Sequence, residues 1–194
     1  MQKFPIICLT GFATSGKDTF LKLLQISDST PFTPTKFVRV AFADKLKETT
    51  APYIKSLYNI DIFNCTPQDK EIARPILIAV GCWVRDYLSD TYWVDQTIEQ
   101  IKKLISQGYI PVITDGRFLS EIFRLKKEFG DSNVIGVEII RTDSTYQPPA
   151  KELEQQPLLR PFIDYTVNWP TVGKDEVDKL QSFAVEFIKK YNLA

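Results

Sequence analysis

The sequence predicts a three-layer α/β/α domain built on a mainly parallel five-stranded sheet. Three observations lead there. Short apolar runs rich in β-branched residues alternate with longer stretches whose apolar residues recur at helical spacing. The first apolar run ends in a glycine-rich loop that opens a helix. The chain is 194 residues long, 44% hydrophobic and 25% charged, which is the size and composition of one domain able to bury its own core.

Taken in order, residues 6–9 form a continuous apolar run, as expected of a strand covered on both faces. Residues 19–26 read as a helix, with Phe20, Leu23 and Leu24 on one side, and the Ser, Thr and Pro of 27–36 read as a loop. Residues 37–42 are a second strand, followed by a helix over 44–57 and turn signals over 59–67. Residues 68–88 read as helical, with Pro75 expected to break or kink the helix. Residues 93–107 carry Val94, Ile98, Ile101, Leu104 and Ile105 at helical spacing, and Gly108 closes that helix. A third strand (110–114), a helix ended by Gly130 (118–129) and a fourth strand (134–140) follow. Residues 142–161 are polar, contain four prolines and read as an irregular lid or arm. A fifth strand (162–169) and a closing amphipathic helix (175–191) complete the chain.

Composition narrows the chemistry. Lys plus Arg number 24, Asp plus Glu number 24, and there is no histidine. A Ser-His-Asp triad, a Cys-His pair, His-ligated zinc and a histidine base are therefore excluded. The zero net charge argues against a nucleic-acid partner. Cys8, Cys65 and Cys82 are odd in number and contain no C-x-x-C pair, so they are expected to be reduced thiols rather than a disulfide framework or zinc knuckle. The amino-terminal apolar run is too short for a signal peptide, and no stretch approaches the ~18 apolar residues of a membrane span. These features predict a soluble cytoplasmic protein without a membrane partner.

The strongest motif is Gly11-Phe12-Ala13-Thr14-Ser15-Gly16-Lys17-Asp18-Thr19, a G-x-x-x-x-G-K pattern between the first strand and the first helix. Its glycines let successive N–H groups converge on phosphate oxygens, the helix N-terminus adds positive potential, and Lys17 supplies a point charge. Gly11, Ala13, Thr14, Ser15, Gly16, Lys17, Asp18 and Thr19 are thus the expected phosphate-binding residues. Asp18 stands where a hydroxyl usually meets Mg²⁺. It is either a metal-holding carboxylate or a first-turn acidic residue favoured by the helix dipole.

Three further segments accompany the loop: Ala41-Phe42-Ala43-Asp44-Lys45-Leu46-Lys47, then Gly81-Cys82-Trp83-Val84-Arg85 with Trp93-Val94 after it, then Asp115-Gly116-Arg117-Phe118-Leu119-Ser120-Glu121. With the Gly-Lys-Asp-Thr ending of the loop, this ordered set resembles the deoxynucleoside monophosphate kinases of tailed phages, over about residues 5–180. The resemblance implies a P-loop kinase fold in a single domain over 1–194, with an acceptor-binding region at about 43–95 and a lid at about 141–161. It implies ATP and Mg²⁺ as cofactors, small-molecule nucleotides as substrates, and phosphorylation of a deoxynucleoside monophosphate to the diphosphate. It makes a homodimer plausible, and a location in the host cytoplasm if the chain is phage-encoded.

By the same resemblance, Lys17, Asp18, Arg117 and Arg141 are the catalytic candidates, and Asp18 and Asp115 the metal candidates. Phe42, Lys45, Lys47, Gly81, Arg85, Trp93, Asp115, Arg117 and Glu121 fall to the acceptor, and Asn168 and Pro170 to an adenine-facing turn. Plain structural roles stand beside these: a surface position for Arg85 or Lys47, helix capping for Asp115, packing for Trp93 and an ordinary strand-ending turn for Asn168. The family's His-x-Ser-Glu-like lid stretch has no counterpart here, where Glu152 and Glu154 stand. A kinase of another small acceptor, resembling dephospho-coenzyme A kinase or phosphomevalonate kinase, is the alternative. A nucleotide-dependent switch without turnover is the reading from a different class.

Overall fold

The structure, a computed structural model, describes residues 4–30 and 33–193. Strands β1 (Ile6–Thr10), β2 (Phe37–Val40), β3 (Ile110–Gly116), β4 (Val134–Arg141) and β5 (Tyr165–Trp169) form one sheet in the order β2-β3-β1-β4-β5. Every neighbouring pair is parallel. The helices are α1 (Lys17–Asp28), α2 (Phe42–Tyr58), α3 (Pro67–Tyr87), α4 (Tyr92–Ser106), α5 (Leu119–Phe129), α6 (Ala150–Leu159) and α7 (Gln181–Tyr191). The central strand β1 lies between β3 and β4, where the winding of the chain reverses. In such sheets the crevice beyond the carboxyl ends of the strands receives ligands, and β1 ends there at Thr10.

Two compact units divide the chain. The first comprises residues 1–40 and 100–194 and carries the whole sheet; the second comprises residues 41–99.

In the first unit both faces of the sheet are covered, which explains why β1 is apolar at every position from Ile6 to Leu9. On one face Ile7, Leu9, Val112, Val137, Ile139 and Val167 pack with Phe20, Leu23 and Leu24 of α1 and Ala184 and Phe187 of α7. The Phe20 ring lies edge-on, 5.5 Å from Phe187 and 6.0 Å from Trp169. On the other face Gly136 leaves room for α5, since a Cβ there would sit 3.0 Å from Ile122 Cδ1 and 2.1 Å from the Phe162 carbonyl. The three-layer arrangement expected from the alternating pattern is therefore present. Burial, aided by Glu121 and Asp115, pushes the Cys8 thiol far up, so this cysteine is an inert core residue.

In the second unit a capping box starts α3. Thr66 accepts from the Asp69 N–H, Asp69 accepts from the Thr66 N–H, and Pro67 opens the first turn. Ile54, Ile60, Ile62 and Ala73 form its small core.

Three elements differ from the sequence reading. First, α3 continues through Pro75 as one 21-residue helix. A proline removes one intrahelical bond, and the strong cap and buried Ala73, Gly81 and Val84 on either side outweigh that loss. Second, the segment expected to be irregular contains α6, which begins just after Pro149 and keeps Pro157 inside its carboxyl-terminal part. Third, the closing element is split into a 3₁₀ stretch, Lys174–Leu180, followed by α7. No helix among the described residues is long and apolar enough to cross a membrane.

Candidate phosphate-binding site

The loop between β1 and α1 has a backbone that few sequences permit. Gly11 sits at φ +125°, Thr14 at φ 63° and Gly16 at φ +102°. Space as well as torsion selects the glycines. A Cβ on Gly11 would meet the Ile139 carbonyl at 2.4 Å, and one on Gly16 would meet Trp169 Cζ2 at 2.7 Å. Trp169 is buried at the end of β5, and its indole Nε1 donates to the Ser15 carbonyl at 2.9 Å. The last strand thus braces the loop from below.

The Ser15 N–H donates to the Phe12 carbonyl at 3.3 Å. The N–H groups of Ala13, Thr14 and Gly16 engage no partner among the described residues. The Ser15 hydroxyl is buried and also without a partner there. Free donors around the N-terminus of α1, with a buried hydroxyl among them, suit an anion with several oxygens. A nucleotide phosphate chain fits this donor set.

Lys17, the first residue of α1, is 7% exposed. Its Nζ donates to the Gly11 carbonyl at 2.7 Å and the Phe12 carbonyl at 2.8 Å, which folds the side chain back over the loop. Burial, and then the neighbouring Arg117, lower its pKa to about 8, while Glu152, Asp18 and Asp115 act in the opposite sense. Lys17 therefore stands among one further cation and three carboxylates. Asp18 is exposed in the first turn of α1, and Asp115 is half-buried near the end of β3. Among the described residues no group of three or more Asp, Glu or Cys side chains is arranged to hold a metal. Magnesium in phosphate sites takes one or two carboxylates and completes its shell with water and phosphate oxygens, so the carboxylates near Lys17 suit it.

Arg117 follows β3, and its backbone is fixed by Glu121. That carboxylate, 2% exposed, accepts from the Arg117 N–H at 2.7 Å and the Phe118 N–H at 3.0 Å through the same oxygen, Oε2. Glu121 thus orients the Arg117 main chain. The Arg117 guanidinium donates to Glu152 Oε1 of α6 at 2.6 Å, and Gln155 Oε1 accepts from the Leu119 N–H at 3.0 Å. Gly11, Phe12, Arg117, Glu152, Gln156 and Leu159 enclose a gap of about 20 Å³ between loop and helix.

Arg141 ends β4 opposite Trp169, and its Nε is buried with no partner among the described residues. Asn168 and Pro170 are exposed at the end of β5. Asp143 ties the two strand ends together by accepting from the Thr171 N–H and hydroxyl, each at 2.9 Å.

The other expected acceptor residues belong to the second unit. Lys45 pairs with Glu48 at 2.8 Å and Lys47 with Asp44 at 3.4 Å. Gly81 faces Leu46, with 3.1 Å left for a Cβ, and Arg85 is half-buried in the last turn of α3. Phe42 and Trp93 are both buried, which for Trp93 is the packing role set beside acceptor binding. They are 2% and 4% exposed, and Trp93 packs edge-on against Tyr92. Trp83 and Tyr87 are exposed and stacked 5.7 Å apart, and Tyr53, Tyr58 and Phe63 of the same unit are exposed as well.

Sequence reasoning missed Trp169 as the brace of the loop, and Glu152 and Gln155 as partners of the Arg117 segment. Trp169 reaches a residue 154 positions away, which no local pattern records. The spacing of Glu152, Gln155, Gln156 and Leu159 does mark one helical face, but a largely polar one.

No known protein family and no curated protein matches the sequence. Among solved structures, a shikimate kinase from Acinetobacter baumannii in complex with shikimate aligns over 100% of this chain and 97% of its own, at 14% identity and a TM-score of 0.44.

Proposed function

We propose that this chain is a P-loop kinase that moves the terminal phosphoryl group of ATP to a small phosphate-bearing acceptor, a deoxynucleoside monophosphate by the sequence resemblance. The observation that carries the reading is the loop itself. Positive-φ glycines held between β4 and Trp169, unpartnered N–H groups and the buried Lys17 lie together at the carboxyl end of the central strand.

Phosphoryl transfer asks the protein chiefly for position and charge. Mg-ATP, when bound, supplies the transferable group and a divalent charge spread over phosphate oxygens. The N–H groups of Ala13, Thr14 and Gly16 hold the phosphate chain, with Ser15 and Thr19 as hydroxyl partners. Lys17 swings its Nζ from the Gly11 and Phe12 carbonyls to phosphate oxygens, and Asp18 and Asp115 would hold the metal, which would neutralise phosphate charge. Arg117 neutralises charge on the acceptor side, with Glu121 fixing its backbone, and Arg141 meets the transferring group. Asn168 and Pro170 border the adenine. Among residues of the second unit, Arg85, Lys45 and Lys47 are the proposed sources of positive charge for the acceptor, Gly81 allows close approach, and the buried Phe42 and Trp93 act as supports.

The test is ADP formation from ATP and Mg²⁺ across dAMP, dGMP, dTMP, dCMP and modified dCMP. The expected result is turnover that depends on at least one of them and is abolished by Lys17→Ala in a folded variant. Turnover only with another acceptor, such as dephospho-coenzyme A or phosphomevalonate, would replace the nucleotide assignment. Binding of ATP without turnover of any acceptor would point to a switch.

A further inference from the structure

The cationic centre beside the loop already has an anion, and it comes from the chain itself. Arg117 is close enough to Lys17 to disfavour the lysine's charge, and its own guanidinium pairs with a carboxylate. Glu152 supplies it. Its side chain is 15% exposed and meets an Arg117 side chain that is 30% exposed, at 2.6 Å. Arg117 lies within the same small enclosure as Gly11 and Phe12 of the loop, and that enclosure has about 20 Å³ of free volume. As it stands, such a space has room for roughly one water. The inward face of α6 is built around this contact. Glu152, Gln155, Gln156 and Leu159 follow the i, i+3, i+4, i+7 pattern of one helical stripe. Glu152 takes Arg117, Gln155 takes the Leu119 N–H, and Leu159 is buried.

We propose that Glu152 is an internal competitor for the phosphate site: its carboxylate holds Arg117 and latches α6 against the loop, and a phosphate-bearing ligand must displace it. The inference rests on the phosphate-binding reading of the loop. A phosphate oxygen and a carboxylate oxygen offer a guanidinium the same kind of partner, so occupation of Arg117 is exclusive. Release of Glu152 frees α6 to move, which couples ligand binding to the segment expected from sequence to be a lid.

The test uses the full chain, inorganic triphosphate as the probe, and Glu152→Gln, which keeps the shape and removes the charge. Titration calorimetry should show triphosphate binding roughly 5- to 50-fold tighter in the variant. Backbone hydrogen exchange over residues 151–160 should be faster in the variant, and faster in the wild type once triphosphate is added. Gln155→Ala, which cuts the second tie, should move both readouts in the same direction by less, and it keeps the test alive if E152Q folds poorly. Unchanged or weaker triphosphate binding in both variants would overturn the latch, and weaker binding would make Glu152 part of the binding machinery. Triphosphate that binds neither the wild type nor the variants would overturn both the latch and the phosphate-loop reading. Binding that is lost in Lys17→Ala but equal in wild type and E152Q would remove only the latch.

Discussion

Lys17 makes the proposed site sensitive to pH in a range where few side chains titrate. Its ammonium is buried beside Arg117 and has a pKa of about 8, against 10.5 for a free lysine. ATP binding needs the charged form, because phosphate oxygens then replace the Gly11 and Phe12 carbonyls as its partners. The sign follows. Below pH 8 Lys17 is already charged, so affinity does not change through this group. Above pH 8 a growing fraction of the protein must take up a proton in order to bind. At pH 8 about half a proton is taken up per ATP; at pH 9 about 0.9 is, and affinity is about tenfold weaker than at pH 7. With Mg²⁺ in excess the terminal phosphate of ATP is almost fully ionised from pH 7 upward, so the ligand adds little to the slope.

The assay is titration calorimetry at pH 7, 8 and 9, each in two buffers of different ionisation enthalpy. The difference in apparent heat reports protons taken up. Lys17→Arg is the control, since a guanidinium stays charged and should show no uptake. Stability gives an independent readout. The depressed pKa means that the unfolded chain binds the extra proton between pH 8 and 10.5, so folding gains stability there as pH rises. From pH 8 to 9.5 the gain is roughly 2 kcal/mol relative to Lys17→Met, read from urea midpoints at each pH. Uptake below about 0.1 proton at pH 9, with a flat stability difference, would refute the placement of Lys17 as a buried cation beside Arg117.

Two further outcomes test the bracing of the loop. Trp169→Phe keeps most of the packing against Phe20 but leaves the Ser15 carbonyl without its donor. It should cost about 1–3 kcal/mol in urea unfolding and weaken ATP binding. Gly16→Ala places a methyl group 2.7 Å from Trp169 Cζ2 at a torsion that side chains rarely adopt. It should reduce ATP affinity at least about tenfold, while circular dichroism shows the sheet intact.

The parts of the molecule that were legible in the sequence are those where physics demands particular residue types at fixed offsets. A backbone that turns at Gly11 and Gly16 and delivers Lys17 to a helix N-terminus leaves little choice at those positions, so the loop is visible from nine residues. The strands were visible because a sheet covered on both faces turns each strand into an apolar run. Helix α6 was not visible, because its inward face carries a single buried apolar residue, Leu159, beside the half-buried Glu152, Gln155 and Gln156, and Glu152 and Gln155 are held there by charge and hydrogen bonds. Periodicity in hydrophobicity cannot detect a face of that kind. For Trp93 the sequence leaves packing and ligand contact equally readable, because an aromatic residue near a candidate site reads the same either way, and its 4% exposure places it in packing.

The charge balance takes on a local meaning from the same comparison. Equal numbers of acidic and basic residues first argue only against a polyanionic partner. Around the loop, however, Lys17 and Arg117 are matched by Asp18, Asp115 and Glu152 within one small region. A buried cation such as Lys17 beside the half-buried Arg117 is stabilised when carboxylates share their field. A ligand with a single negative charge can replace Glu152 at Arg117, but it leaves Lys17 with its carbonyl partners. A ligand with several linked anionic groups can satisfy both cations at once, and under the proposed function Asp18 and Asp115 would then carry the divalent ion. On that proposal the preference for a chain of phosphates arises from where the carboxylates sit rather than from an excess of positive charge.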